Sequence, residues 1–202
     1  MTFSNGTSRR GKARTSLAAG ALALALGFSG CASLAPAPQS FDLRAAHVKA
    51  RPFSARIFVA TPSAIPPLDG DLIVGRAPDG ALSRVPGARW ADSLPTLLRS
   101  RLGQTFENAG LARQVALSSE GADLSLAIEI RRFDIDAGTR MAQVELTARL
   151  VSRSGAGVVA AKVFSATEPV GDIAGAATAQ ALDGALSQVL AQIVVWTAST
   201  AR

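Results

Sequence analysis

The chain has a single cysteine, Cys31, and its neighbours fix what that thiol can do. Ser29 and Gly30 precede it, and small residues are what a signal peptidase needs beside the bond it cuts. A cysteine left at the new N-terminus is the side chain that takes a diacylglyceryl group as a thioether. With Cys31 modified in this way, no thiol is left for a disulfide or a cysteine metal site. The remaining inventory is poor in chemistry. His47, the one histidine, lies far in sequence from any carboxylate constellation and reads as a solvated loop residue. Asp134 and Asp136 are close enough to work as an acid and base, but beside a turn they read as turn solvation. Ser154-Gly155 lacks the G-x-S-x-G pattern of a nucleophile elbow. Gly155-Ala156-Gly157 precedes a strand, whereas a phosphate cradle opens onto a helix. The expectation is no enzyme, no metal and no cofactor.

The stretch that delivers Cys31 is Leu17 to Gly30, an uncharged apolar run. Arg9, Arg10, Lys12 and Arg14 come before it, and no acidic residue occurs in the first 30 positions. This is the order of a secretory signal, a basic region, an apolar region and a cleavage site. Phe28-Ser29-Gly30-Cys31 resembles the lipobox of bacterial lipoproteins, with Phe28 where leucine is usual, so cleavage is expected between Gly30 and Cys31. A membrane-spanning helix needs about 20 apolar residues, and the run is shorter. Ser8-Arg9-Arg10 suggests a twin-arginine export signal, but Gly11-Lys12 stands where an apolar pair is expected. A buried core cysteine does not fit the flank Ala35-Pro36-Ala37-Pro38-Gln39-Ser40, which reads as a linker. The organisation expected is a signal over 1–30, a lipidated cysteine with a Pro/Ala tether over 31–40, and one domain over 41–199. Alanine, not aspartate, follows Cys31, so the inner-membrane retention signal is missing and the outer membrane is favoured for a Gram-negative cell.

Removing the signal changes the charge argument. The whole chain carries 21 basic and 15 acidic residues; the signal holds four of the basic ones, leaving a net of about +2. The remaining arginines are scattered, with no run longer than Arg131-Arg132, and the few aromatics suit a core better than a base-stacking platform. Nucleic acid is therefore not an expected partner.

The elements follow from periodicity. Phe41-Asp42-Leu43 and Arg56–Ala60 read as short strands, and Ser63–Gly70, with Pro66-Pro67, as a loop. Leu72–Arg76 and Ala81–Val85 flank Pro78-Asp79-Gly80 as a hairpin. A helix is predicted over about 92–109, capped by Asp92 or Ser93, with Pro95 in its first turn and Gly110 as a left-handed stop. Trp90 is expected to fold back on its first turns. Leu124, Leu126, Ile128 and Ile130 alternate as a strand; the beat slips at Arg131-Arg132 and resumes at Phe133 and Ile135, which predicts a β-bulge. Val144–Leu150 and Val158–Thr167 follow as strands. A closing helix over about 172–198 carries Leu182, Leu186, Val189, Ile193 and Trp196 on one stripe. These elements predict an α+β single domain, a mostly antiparallel sheet with two main helices packed on one face. At the bulge, Arg131 and Arg132 read as solvated arginines beside a core phenylalanine, or else as a surface meeting a partner protein or lipid headgroups. The loop from Ser63 to Gly70 is a further candidate contact.

An ordered set of segments resembles one family. These are Phe41-Asp42-Leu43, the strand ending Val59-Ala60-Thr61-Pro62, Asp71–Arg76, Ala88-Arg89-Trp90-Ala91-Asp92-Ser93-Leu94-Pro95, Phe106–Gly110, Glu129–Phe133, Val158–Phe164 and the helix ending at Trp196. Together they are similar to the ABC-type transport auxiliary lipoproteins that accompany MCE-domain lipid transporters, over residues 41–197. Phe41 stands in place of the usual tyrosine, and Gly75 where many members carry a larger residue. The resemblance implies a non-catalytic docking subunit anchored to the periplasmic face of the outer membrane. It also implies an MCE-domain protein, an ABC permease and an ATPase as partners, phospholipid-like cargo and a homo-oligomer. The alternatives are an assembly factor for an outer-membrane β-barrel or a lipopolysaccharide machine, and a periplasmic hydrolase.

Overall fold

Alternating apolar residues, with one slip at Arg131, build the strands over 124–136 and 141–152 of this computed structural model, which describes residues 37–201 apart from 117 and 156. Gly30 and Cys31, and with them the signal and the start of the tether, lie outside the described residues. In chain order the strands are β1 (Gln39–Phe41), β2 (Ile57–Val59), β3 (Leu72–Arg76), β4 (Leu82–Trp90), β5 (Val115–Ala116), β6 (Leu124–Asp136), β7 (Met141–Ser152) and β8 (Val158–Pro169). The helices are α1 (Leu94–Asn108), after β4, and α2 (Gly175–Thr200), after β8.

Strand β6 is the hub of one eight-stranded sheet. It pairs antiparallel with β7 along its whole length, and β7 pairs antiparallel with β8. On its other side the two ends of β6 meet different strands, both parallel: β2 at Leu124–Leu126 and β3 at Asp134–Asp136. Beyond them β3 pairs antiparallel with β4, β4 parallel with β1, and β2 parallel with β5. The α+β architecture is as expected, but the sheet is mixed. Hairpins advertise themselves locally through a turn, whereas parallel neighbours are joined by long crossovers that leave no local mark.

The predicted bulge is present. The β6–β7 register shifts between Ile130 and Arg132, so Arg131 is the extra residue. The insertion keeps Phe133 and Ile135 on the face that Leu126, Ile128 and Ile130 already occupy, and all five are buried. Strand β4 runs five residues further than predicted, through Pro86 and Gly87. A wide slip between the pairs Val74↔Arg84 and Leu72↔Arg89 takes Pro86 out of the ladder, where its missing N–H costs nothing. Gly87 bends the strand there at φ 73°, a conformation other residues rarely adopt. Trp90 thus closes a strand, buried edge-on against Phe133 with ring centroids 5.8 Å apart. At the other end β1 begins at Gln39, so the last two residues of the expected tether are sheet.

Helix α1 buries Leu94, Leu97, Leu98, Leu102, Thr105 and Phe106 and ends before Gly110 at φ 78°. Its start is not capped as predicted: Asp92 and Ser93 make no side-chain bond to its free N–H groups. The Leu94 N–H donates instead to the Gly70 carbonyl at 2.9 Å, and Pro95 removes a second orphan donor. Helix α2 buries Leu182, Leu186, Val189 and Ile193, packs along β7 and β8, and touches α1. Both helices cover the apolar face of the sheet.

The irregular stretch after β1 is strapped to both helices. The Thr105 hydroxyl accepts the Ala46 N–H at 3.1 Å, and Asn108 donates to the Ala46 carbonyl at 3.0 Å. Asp183 on α2 accepts the Arg44 N–H at 2.7 Å and its Nε at 2.6 Å. Arg101 hydrogen-bonds Asp42, which holds that carboxyl below its ordinary 3.8 against the opposing effect of burial. A depressed carboxyl pKa contributes stability above the unfolded value, and the contribution is lost as pH falls through the folded value. Urea unfolding from about pH 5 downward is therefore expected to show an acid loss of stability that Asp42→Asn makes shallower.

Candidate functional site

The arginines singled out at the bulge do not stand free in water. From Ile130 onward the polar residues of β6 are two arginines followed by two acids, Arg131, Arg132, Asp134 and Asp136, with partners on both neighbouring strands. Arg131 Nη1 meets Glu145 Oε1 on β7 at 3.1 Å. Arg132 donates to Asp134 at 2.8 and 3.3 Å, with Asp136 at 3.9 Å. Arg76, arriving on parallel β3, donates to the same Asp134 from Nε and Nη2, both at 3.2 Å. One step along, Arg149 meets Glu129 at 2.9 Å. The hydrogen bond to Asp134 is the largest of the influences that raise the Arg132 pKa, so this guanidinium is firmly charged.

Of the two acids expected to solvate the turn, one does and one does not. Asp136 does cap its turn, accepting the Thr139 N–H at 2.9 Å, which with the other local bonds lowers its pKa. Asp134 does not solvate that turn: its side chain is 0% exposed and clamped between two guanidiniums. The cluster of Arg76, Arg131, Arg132 and Arg149 with Glu129, Asp134, Asp136 and Glu145 is balanced in charge. It has the chemistry of a sheet-face ion ladder, without a free acid and base. Arg76 was missed because its pairing with β6 is parallel and non-local. The available signal was the presence of both signs of charge along β6 and on the polar beat of β7.

The other candidates are placed as follows. His47 is exposed in the strapped segment. Ser154 lies in the turn after β7, its hydroxyl 2.8 Å from that of Ser152. Both border a shallow opening of about 690 Å³ with Ser54, Ser119 and Asp123. Asp123 accepts the Arg56 N–H at 2.8 Å, and among the described residues no histidine or lysine lines the opening. In the loop between β2 and β3, Leu68 is buried while Ile65 is 75% exposed at the tip. Among the described residues β8 has no partner on its far side, and Val158, Val159 and Val163 are exposed there.

Comparison with known proteins places this geometry. A family model described as the ABC-type transport auxiliary lipoprotein component matches residues 40–194. An uncharacterized protein of Bradyrhizobium diazoefficiens is 33% identical over 171 residues, 81% of this chain and 46% of the relative. The chain thus spans about half the length of that curated relative. The crystal structure of protein XCC0632 from Xanthomonas campestris superposes with a TM-score of 0.74 at 32% identity, covering 80% of this chain and 95% of that one. The crystal structure of an uncharacterized protein superposes with a TM-score of 0.59 at 16% identity, covering 75% and 97%, a likeness of fold alone.

Proposed function

Because the chain belongs to the family of ABC-type transport auxiliary lipoprotein components, we propose that it is the non-catalytic docking subunit of an MCE-type lipid transport system. In this reading Cys31 carries the lipid, cleavage falls after Gly30, and the domain sits on the periplasmic face of the outer membrane. An MCE-domain protein, an ABC permease and a cytoplasmic ATPase are its partners, and the cargo is phospholipid-like. The observation that carries the reading is the family match over nearly the whole mature domain, joined to a lipobox-like sequence directly upstream.

The structure supports it in two respects. Its strongest ionic cluster is internally neutralised and so suits a scaffold better than a reaction centre. The open edge of β8 offers main-chain groups and three exposed valines to a partner strand, and self-association belongs at this edge. Arg131, half exposed, and Ile65 at the loop tip are the further contact candidates.

The test is capture of the lipidated protein from detergent-solubilised envelopes, with mass spectrometry of what accompanies it. The expected result is an MCE-domain protein together with its permease and ATPase. Capture of an outer-membrane β-barrel protein in their place moves the function to assembly of that barrel. Light scattering of the same preparation reads the number of copies.

A further inference from the structure

Over its last turns α2 has one side that no other described residue covers. Val195 is 46% exposed there, and a depression opens on each side of it. The first, of about 660 Å³, is walled by Lys49, Arg51 and Phe53 of the strapped segment. The second, of about 480 Å³, lies toward β8, where Phe164 and Trp196 pack edge-on with centroids 5.5 Å apart. Both are bounded by Val195 and Ser199, so together they form one groove.

The groove has an apolar floor and a cationic rim. Lys49 and Arg51 stand on one side and Lys162 on the other, its Nζ 5.2 Å from the Phe164 ring centroid. None of the three forms an ion pair among the described residues. Among the described residues no carboxylate lines either depression. The sequence explains why: no acidic residue occurs between Asp42 and Asp69, and none follows Asp183. On the β6–β7 face, by contrast, Arg131, Arg132 and Arg149 each meet an acid.

A small soluble anion would leave the apolar floor wet, and an uncharged hydrocarbon would leave three cations unused. One chemistry satisfies both: a long apolar chain carrying an anionic head. We infer that the groove binds a phospholipid with an anionic headgroup. The acyl chain lies along Phe53, Val195 and Trp196, and the phosphate is met by the rim cations. The inference rests on the transport reading and deepens it by giving this chain its own lipid site and the headgroup an anionic charge. Its test needs no transporter partner, so failure of lipid binding and failure of partner capture are separate results.

Trp196 borders the groove, whereas Trp90 is buried against Phe133 away from it. Phospholipids brominated on the acyl chain quench tryptophan only at close range. The full lipidated protein in non-ionic detergent is titrated with brominated phosphatidylglycerol and, separately, brominated phosphatidylcholine. Phosphatidylglycerol is expected to quench at the lower concentration, and Trp196→Phe to abolish the effect. The exposed triple variant Lys49→Glu, Arg51→Glu, Lys162→Glu is expected to weaken the phosphatidylglycerol response by about tenfold or more while leaving the unfolding midpoint unchanged. Equal response to the two lipids, quenching that persists in Trp196→Phe, or no quenching by either overturns the inference.

Discussion

Asp134→Ala is expected to destabilise the domain by about 3–5 kcal/mol, the usual cost of removing one partner from a buried ion pair. Two features place this residue at the costly end. Its side chain is fully buried, and it is the shared acceptor of Arg76 on β3 and Arg132 on β6. Those two strands are parallel neighbours, so Asp134 pins a non-local junction that no hairpin enforces. Without it two guanidiniums converge on one spot, and only the more distant Asp136 is left to Arg132. The arginines are each 31% exposed, and they can lower the cost by swinging outward. The control is Glu129→Ala, which breaks the half-exposed pair with Arg149 and is expected to cost less than about 1 kcal/mol. Urea midpoints of the two variants measure the difference. If Asp134→Ala costs no more than Glu129→Ala, Asp134 does not hold the β3–β6 junction.

The same residue shows where sequence reasoning stops. The bulge at Arg131 was legible because a period of two slipped within one strand, a local event. Both helices and the β6–β7–β8 meander were legible for the same reason. The parallel pairings of β1, β2, β3 and β5 were not, since each joins segments far apart in the chain. Reading Asp134 beside its turn therefore gave it solvent, while its burial comes from β3, some 58 positions earlier. The missing cap of α1 is a similar case: the Gly70 carbonyl supplies the acceptor that Asp92 and Ser93 do not. The groove beside α2 was half legible. Its acid-free stretch stands in the sequence, but nothing local says that Lys49, Arg51 and Lys162 flank the same helix.

Replacing Cys31 with alanine behind a secretory signal that leads to no lipidation is expected to move the protein from the membrane to the soluble periplasmic fraction. The argument is one of anchoring strength. A single acyl chain holds a protein to a bilayer only marginally, and stable attachment takes more than one signal. A diacylglyceryl thioether meets that need alone, and the mature chain, with a net charge of about +2, adds little electrostatic help. Among the described residues only α2 is long and apolar enough to cross a membrane, and half of its most apolar window is buried inside the domain. Using it as an anchor would open the core that Leu182, Leu186, Val189 and Ile193 fill. The membrane-bound share is therefore expected to fall from nearly all to roughly a tenth or less. Fractionation with immunodetection measures it, and loss of palmitate incorporation checks the chemistry. A variant that stays on the membrane has a second anchor, and the exposed groove beside α2 is where it would lie. Adding Val195→Glu then decides the matter, because a groove-borne anchor fails with it and an anchor elsewhere does not.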